Sequence, residues 1–454
     1  MIDQAALRAQ FPALTPRPGR PVPHYLDSAC MSLVPAPVLT AMGEYYTEFP
    51  GCAGRSLHRF ATEVSHRFEA AREGFARYLH AAGPSSVVFV RNATEAINIV
   101  GHGIDWKKGD GVLVSDQEHN SNLVLWQRLR DERGVRLHIL SLPDDGSFDG
   151  DALDDALSKG VRLVSLFHTS NLDGRSLPVP EIVERAHARG AQVLIDGCQA
   201  APHLRLDLQR LGVDYYALSA HKMLGPTGTG VLSGTPEALG ALRPLLLGGE
   251  TVEWSTLEQH ALRPPPYRFE AGLQNYAGVI GAHAGIKFLE ATGLEAIADH
   301  DRALNEWVTK ELADEPRITV LGPADPRRRP TIFAFAVRGV DPSDTALFLD
   351  EGYDVLVRSG RHCVHSWYER RGLSGNARAS FYMYNDESDA RALVAGIREL
   401  MERVPDAPPS GTSAGTRSRA APSTSSRRPA AGSRAVAARS ARPRGTKARG
   451  RGAS

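Results

Sequence analysis

Lys222 is the residue around which chemistry could be built. It follows the apolar run Tyr216-Ala217-Leu218 through Ser219-Ala220-His221 and precedes the glycine loop Gly225-Pro226-Thr227-Gly228-Thr229-Gly230. A free lysine has a pKa of ~10.4, so one that forms an imine near pH 7 must be desolvated or set beside another cation. Ser219 and His221 flank it with groups suited to hydrogen-bond a phosphate. Asp196 ends a second apolar run, Val193-Leu194-Ile195, where a carboxylate is costly to bury unless a cation faces it. A third run leads into Arg91-Asn92-Ala93-Thr94-Glu95-Ala96, which reads as a turn opening a helix. Backbone N–H groups from Ala93 onward favour a dianion there, and Thr94 adds a hydroxyl. His119 follows another strand end, in Glu118-His119-Asn120-Ser121-Asn122, where it could stack on a flat ring. Each residue alone has a plainer reading, as surface lysine, helix cap, helix start or loop histidine. The glycine loop is neither a phosphate-binding Walker loop nor a dinucleotide fingerprint. Together, however, the residues meet the demands of pyridoxal 5′-phosphate (PLP): an imine lysine, a phosphate cradle, and an acid that keeps the pyridine nitrogen protonated so the ring is an electron sink.

These residues need a scaffold that brings strand ends together. Short apolar runs at Ser86–Val90, Gly111–Ser115, Arg136–Leu140, Arg162–Phe167, Gln192–Ile195, Tyr215–Leu218 and Gly230–Ser233 alternate with helical patterns. Those patterns include Thr94–Gly103, Leu123–Glu132, Asp151–Ser158 and Val179–Arg189. Near-continuous apolar content points to strands covered on both faces, hence a mainly parallel sheet flanked by helices. In such sheets ligands bind at the carboxyl ends of the strands, where Lys222, Asp196, Thr94 and His119 all fall. Tyr276–Thr292 reads as a long packing helix. From Leu294 to Val404 the pattern is helix, strand, helix, strand, helix, enough for a smaller α+β domain. The expected organisation is an N-terminal segment (1–24) packing on the small domain, a large domain (25–289), a small domain (290–404) and a tail (405–454).

Several blocks in order make the sequence similar to aminotransferase class V, in its cysteine desulfurase and selenocysteine lyase branch. They are Tyr25-Leu26-Asp27-Ser28, Asn92-Ala93-Thr94-Glu95-Ala96-Ile97-Asn98, Glu118-His119, Phe167-His168-Thr169-Ser170-Asn171, Asp196-Gly197-Cys198-Gln199-Ala200, Ser219-Ala220-His221-Lys222 and Arg378-Ala379-Ser380-Phe381-Tyr382-Met383-Tyr384-Asn385. The resemblance implies the α/β fold type I of PLP-dependent transferases, with a seven-stranded sheet, and homodimers whose sites lie at the subunit interface. It implies that Lys222 carries the cofactor, Asp196 pairs with the pyridine nitrogen, Gln199 bonds the phenolic oxygen and His119 lies on the ring. Ala93, Thr94, Ser219 and His221 would hold the phosphate. Asn171, Arg358 and Arg378 would position the substrate, a role for which arginine's planar fork suits a carboxylate.

Val357-Arg358-Ser359-Gly360-Arg361-His362-Cys363 resembles the R-x-G-x-H-C stretch that carries the nucleophilic cysteine of SUF-type desulfurases. The implied reaction converts L-cysteine to alanine and leaves a persulfide on Cys363 for a sulfur-acceptor protein, with iron–sulfur cluster assembly one destination. A thiolate is needed, while a free cysteine has a pKa of ~8.5; Arg358, Arg361 and His362 make the neighbourhood electropositive. The family commonly has His where Arg361 stands. It has a threonine reaching the neighbouring subunit's phosphate where Leu273 stands, a contact that Thr251 could replace. Asp173, Arg175 and Cys30 also depart from its usual residues. Other reactions on this scaffold, by selenocysteine lyases, kynureninase-like β-lyases or epimerases, do not all need Cys363.

The chain has 454 residues, 42% hydrophobic and 23% charged, and four scattered cysteines without a C-x-x-C pair. A disulfide framework and a structural metal site are not expected. With no membrane span and no signal peptide read from the sequence, a cytoplasmic enzyme is expected. The net charge of +1 hides an asymmetry: residues 407–454 hold ten Arg, one Lys and no acid, while the other 42 basic residues face 52 acidic ones. That tail of Ala, Ser, Pro, Gly and Arg cannot bury enough apolar surface to fold. Contact with nucleic acid is conceivable, but no aromatics are present to stack on bases, and a solubilising extension is favoured. If instead the tail were the function, deleting it would abolish a salt-sensitive polyanion binding.

Overall fold

The computed structural model describes residues 3–404; the basic tail lies outside them. Seven strands form one sheet: β1 (Val87–Val90), β2 (Gly111–Ser115), β3 (Arg136–Leu140), β4 (Val161–Phe167), β5 (Gln192–Asp196), β6 (Tyr215–Ser219) and β7 (Gly230–Gly234). Their order is β1-β7-β6-β5-β4-β2-β3. Only β7 runs antiparallel to its neighbours, β1 and β6; the other pairings are parallel. Every residue of β1, β2, β6 and β7 is buried. One apolar cluster contains Phe68, Phe89, Val164, Ile195 and Leu218, and the other Val88, Val114, Leu163, Leu194 and Leu232. Adjacent residues of β1, β2, β5 and β6 alternate between the two clusters, as the period of two requires. The double covering explains why these strands show as unbroken apolar runs, each lying within a residue of its expected limits.

Helices cross the sheet between parallel strands: α1 (Ala93–Gly103), α2 (Val124–Arg133), α3 (Gly150–Leu157) and α4 (Val179–Ala188). The long α5 (Tyr276–Thr292) is buried on most of its length and leads into α6 (Leu294–Glu311). Beyond it a second sheet has β8 (Ile318–Val320), β9 (Ile332–Val337), β10 (Arg358–Gly360) and β11 (Asn376–Ser380), in the antiparallel order β8-β9-β11-β10. The sequence pattern showed fewer strands here because β8 and β10 have three residues each, too short to display a period of two. Phe333, Phe335, Leu349, Leu393 and Ile397 form a separate core with this sheet.

The N-terminal segment lies against residues 383–389. Gln4 Nε2 donates to the Met383 carbonyl (2.9 Å), and Arg8 Nη1 to the Tyr384 carbonyl (2.7 Å) and to Asp389 (2.8 Å). Ser380 N donates to the Leu26 carbonyl (2.7 Å), tying the start of the chain to β11.

Candidate active site

A cavity of about 310 Å³ opens at the carboxyl end of the large sheet, lined by turns that follow β1, β2, β4, β5 and β6. It gathers Ala93, Thr94, His119, Asn171, Asp196, Gln199, Ser219, His221 and Lys222 from five segments of the sequence. Arg358 and Cys363 close it from the second sheet.

At one end, β1 turns at Asn92, whose Oδ1 accepts from Glu95 N (3.0 Å) and caps α1. Ala93 N–H donates to Ser219 Oγ (2.9 Å), and Thr94 Oγ1 lies 2.8 Å from Ser121 Oγ. A helix N-terminus, three hydroxyls and His221 thus converge on one spot, which suits a phosphate. Burial, with Lys222 adding to it, brings the His221 pKa down to about 4. It is neutral and can donate a single hydrogen bond.

Asp196 ends β5 with its Oδ1 accepting from Cys198 N (3.0 Å), and a cationic ring nitrogen would offset its burial. Gln199 Nε2 donates to the Ala29 carbonyl (2.7 Å), which fixes the amide at the cavity wall. Burial, and next Lys222, lowers the His119 pKa to about 4. Ser121 N–H donates to Nδ1 of that neutral ring (3.1 Å), leaving the proton on Nε2. Ser121 was missed as a site residue, although its spacing two positions after His119 was there to be read. Glu118, the residue before His119, is fully buried. Burial, and Asp196 nearby, push its pKa up to about 8; Ser115 Oγ (2.6 Å) and Asn122 Nδ2 (2.8 Å) lie against it.

Cys363 sits in a tight loop whose residues His362 and Cys363 both have left-handed backbones, with φ +46° and +61°. Such conformations cost about 1–2 kcal/mol each in a residue with a Cβ and persist where surroundings impose them. Here Asn171 Nδ2 donates to the His362 carbonyl (2.7 Å) and Asn120 N to the Cys363 carbonyl (2.7 Å). Arg358 Nη2 reaches Cys363 Sγ at 3.3 Å. The expected electropositive cluster is corrected in two places. Arg361 turns outward to Glu369 (3.2 Å). His362 is buried, its pKa forced down to about 2 by burial and then by Arg378 and Arg358, so it adds no charge. Of the three, Arg358 is the one whose charge faces the thiol.

Arg378 is fully buried behind Asn171. Its Nη1 donates to the Asn171 carbonyl (2.6 Å) and its Nη2 to Asp27 (3.1 Å). Its Nε has no hydrogen-bond partner among the described residues, and Arg378 itself is not among the residues that line the cavity. Thr251 is not brought to this cavity: its hydroxyl donates to the Gly248 carbonyl (2.8 Å). Leu273 is 64% exposed.

The sequence profile described as Aminotransferase class-V matches residues 24–393. The chain belongs to the aminotransferase class V family. A probable cysteine desulfurase of Streptomyces coelicolor is 36% identical over 409 residues, covering 88% of this chain and 97% of that one. A cysteine desulfurase of Dickeya dadantii is 36% identical over 399 residues, covering 87% and 96%. Among solved structures, the cysteine desulfurase CsdA of Escherichia coli superposes with a TM-score of 0.81 at 34% identity, covering 88% of this chain and 99% of that one. The cysteine desulfurase of Thermococcus onnurineus gives 0.81 at 34% identity, covering 84% and 95%. Among these class V relatives, this chain's seven-stranded sheet follows the same α/β architecture.

Proposed function

We propose that this chain is a PLP-dependent cysteine desulfurase that converts L-cysteine to L-alanine and leaves a persulfide on Cys363. The observation that carries this reading is the placement of Cys363 and Arg358 over the same cavity that holds Lys222, Asp196 and His119. The residues present fit the cofactor. Ala93 N–H, Thr94, Ser219 and His221 would hold its phosphate, Asp196 its pyridine nitrogen and Gln199 its phenolic oxygen, with His119 against the ring and Lys222 bonded to it. When bound, PLP supplies an electron sink for the pair released at the substrate's Cα.

The chain's own residues do the rest. Arg378 and Asn171 orient the substrate carboxylate, and Lys222 moves the proton at Cα. Arg358 holds its guanidinium 3.3 Å from the sulfur of Cys363, where it steadies the negative charge of the attacking form. The Cys363 thiolate forms a bond to the substrate sulfur while the Cβ–S bond breaks. The electron pair of the broken bond stays with the carbon skeleton, which takes up a proton and leaves as alanine. Pinning the loop at Asn171 and Asn120 spares the reorganisation that a loose nucleophile would need.

The same reading includes a homodimer, a sulfur-acceptor protein and a cytoplasmic site of action. It also includes the division into residues 25–289 and 290–404, with 1–24 packing on the latter. Leu246, Leu247, Trp254 and Leu273 are exposed, apolar area that a second copy of the chain would cover. Among the described residues, no helix is long and apolar enough to cross a membrane.

The test is alanine and persulfide formation from L-cysteine with a thiol reductant. Wild type turns over; Lys222→Ala does not. Cys363→Ala keeps the absorbance of bound cofactor but loses alanine formation by at least ~100-fold, the scale of losing a covalent nucleophile. Full activity in Cys363→Ala would overturn the reading.

A further inference from the structure

Two thiols face the electropositive end of the cavity. Cys30 lines it together with Cys363, and both are half-buried. Both also act on one guanidinium. Burial works against the charge of Arg358, yet Cys30 first and then Cys363 help hold its pKa above the ordinary value. Cys30 lies on the turn after Asp27, its N–H donating to the Asp27 carbonyl (3.0 Å), beside the ion pair of Asp27 with Arg378 (3.1 Å). The remaining cysteines differ. Cys198 also borders the cavity but is sealed, its thiol pushed up to about 12 by burial and then by Asp196. Cys52 does not line the cavity.

We propose that Cys30 is a second sulfur acceptor within the site, taking the outer sulfur of the Cys363 persulfide; this rests on the persulfide chemistry proposed above. The Cys30 thiolate attacks the outer sulfur, and a Cys30 S–S bond forms. The S–S bond at Cys363 breaks, and its electron pair stays on Cys363, which returns to a thiolate facing Arg358. The proton lost by Cys30 passes to solvent. No oxidant is needed, because the sulfur moves between thiols at an unchanged oxidation level. The persulfide also extends the reach of Cys363 by roughly 2 Å, one S–S bond length. Arg358 serves attacking and leaving thiolates alike. With Cys363 free again, the chain can process a second cysteine before any external acceptor arrives.

The experiment mixes holoenzyme with excess L-cysteine without reductant, counts the alanine released per chain, alkylates, and maps sulfur on the cysteine peptides by mass. The expected result is about two alanines per chain, with one added sulfur on Cys30 and one on Cys363. Cys30→Ser should release about one, with sulfur on Cys363 only. A wild type that stops at one alanine with sulfur on Cys363 alone overturns the proposal and leaves the desulfurase reading standing. So does a wild type whose two sulfurs both sit on Cys363. Sulfur on Cys30 in Cys363→Ala also overturns it, since the transfer would then bypass Cys363. No alanine from wild type sinks both. The wild-type peptide map decides even if Cys30→Ser fails to fold.

Discussion

The reactivity of Cys363 depends on one neighbour more than the sequence suggested. Three basic residues stand in the five positions before it, but of these only Arg358 reaches the sulfur, at 3.3 Å. Arg361 is drawn to Glu369 and His362 is buried neutral. Replacing Arg358 with Met keeps the length of the side chain and removes the charge. Carbamidomethylation of Cys363 at neutral pH should then slow on the order of tenfold, the effect of losing an opposite charge at close range. Cofactor binding should persist, because no phosphate or ring contact is altered. An unchanged alkylation rate would mean that the Arg358 contact does not set the reactivity of Cys363. Which of three nearby basic side chains faces a thiol with its charge depends on side-chain direction and burial in a left-handed loop. Residue order does not encode that, whereas the presence of the Arg-x-Gly-x-His-Cys stretch was plain.

Six of the seven strands were legible because they are buried on both faces and flanked by amphipathic helices, so apolar runs and strand limits coincide. The edge strand β3 is largely exposed and was legible from its alternation of polar and apolar residues. The spatial order of the strands was not legible, and neither was the contact that fixes Asp196. Gly197, directly after β5, packs so closely on the buried ring of Tyr216 that a Cβ there would lie 1.9 Å from Cε1. Tyr216 cannot retreat: it is fully buried in β6, and its hydroxyl is held at 3.0 Å from His168 Nδ1. Gly197→Ala must therefore move the end of β5 and carry Asp196 away from the cavity. The overpacking should cost about 1–3 kcal/mol in urea unfolding, and cofactor affinity should drop at least tenfold by absorbance titration. A variant with unchanged affinity would show that Asp196 does not anchor the ring. The pattern Asp-Gly alone reads as an ordinary turn. Only the pairing of β5 with β6 gives the glycine its purpose.

For the molecule as a whole, burial of histidines sets the response to acid. His119, His168, His221 and His283 have pKa values lowered to about 4, and His362 to about 2, from an ordinary 6.5, with burial the leading cause in each. In the unfolded chain each takes up a proton as pH falls through about 6.5, while the folded protein resists until about pH 4 or below. Their contribution to stability is thus full above pH 6.5 and lost as pH falls toward 4. Glu118 acts in the opposite sense. Its folded pKa of about 8 exceeds the ordinary 4.5, so unfolding between those values releases its proton. Burial shifts Asp27 and Glu270 in the same direction as Glu118. Burial lowers His102 and His138 in the same sense as the other histidines. Among the described residues at most three protons are therefore released against at least five taken up, and unfolding near pH 5.5 takes up protons overall. The urea midpoint of the cofactor-free chain should therefore fall steadily from pH 6 to pH 5. Unfolding in weakly buffered solution at pH 5.5 should make the medium more basic. A midpoint that rises on acidification, or a medium that turns more acidic, would mean that the buried carboxyls outweigh the histidines.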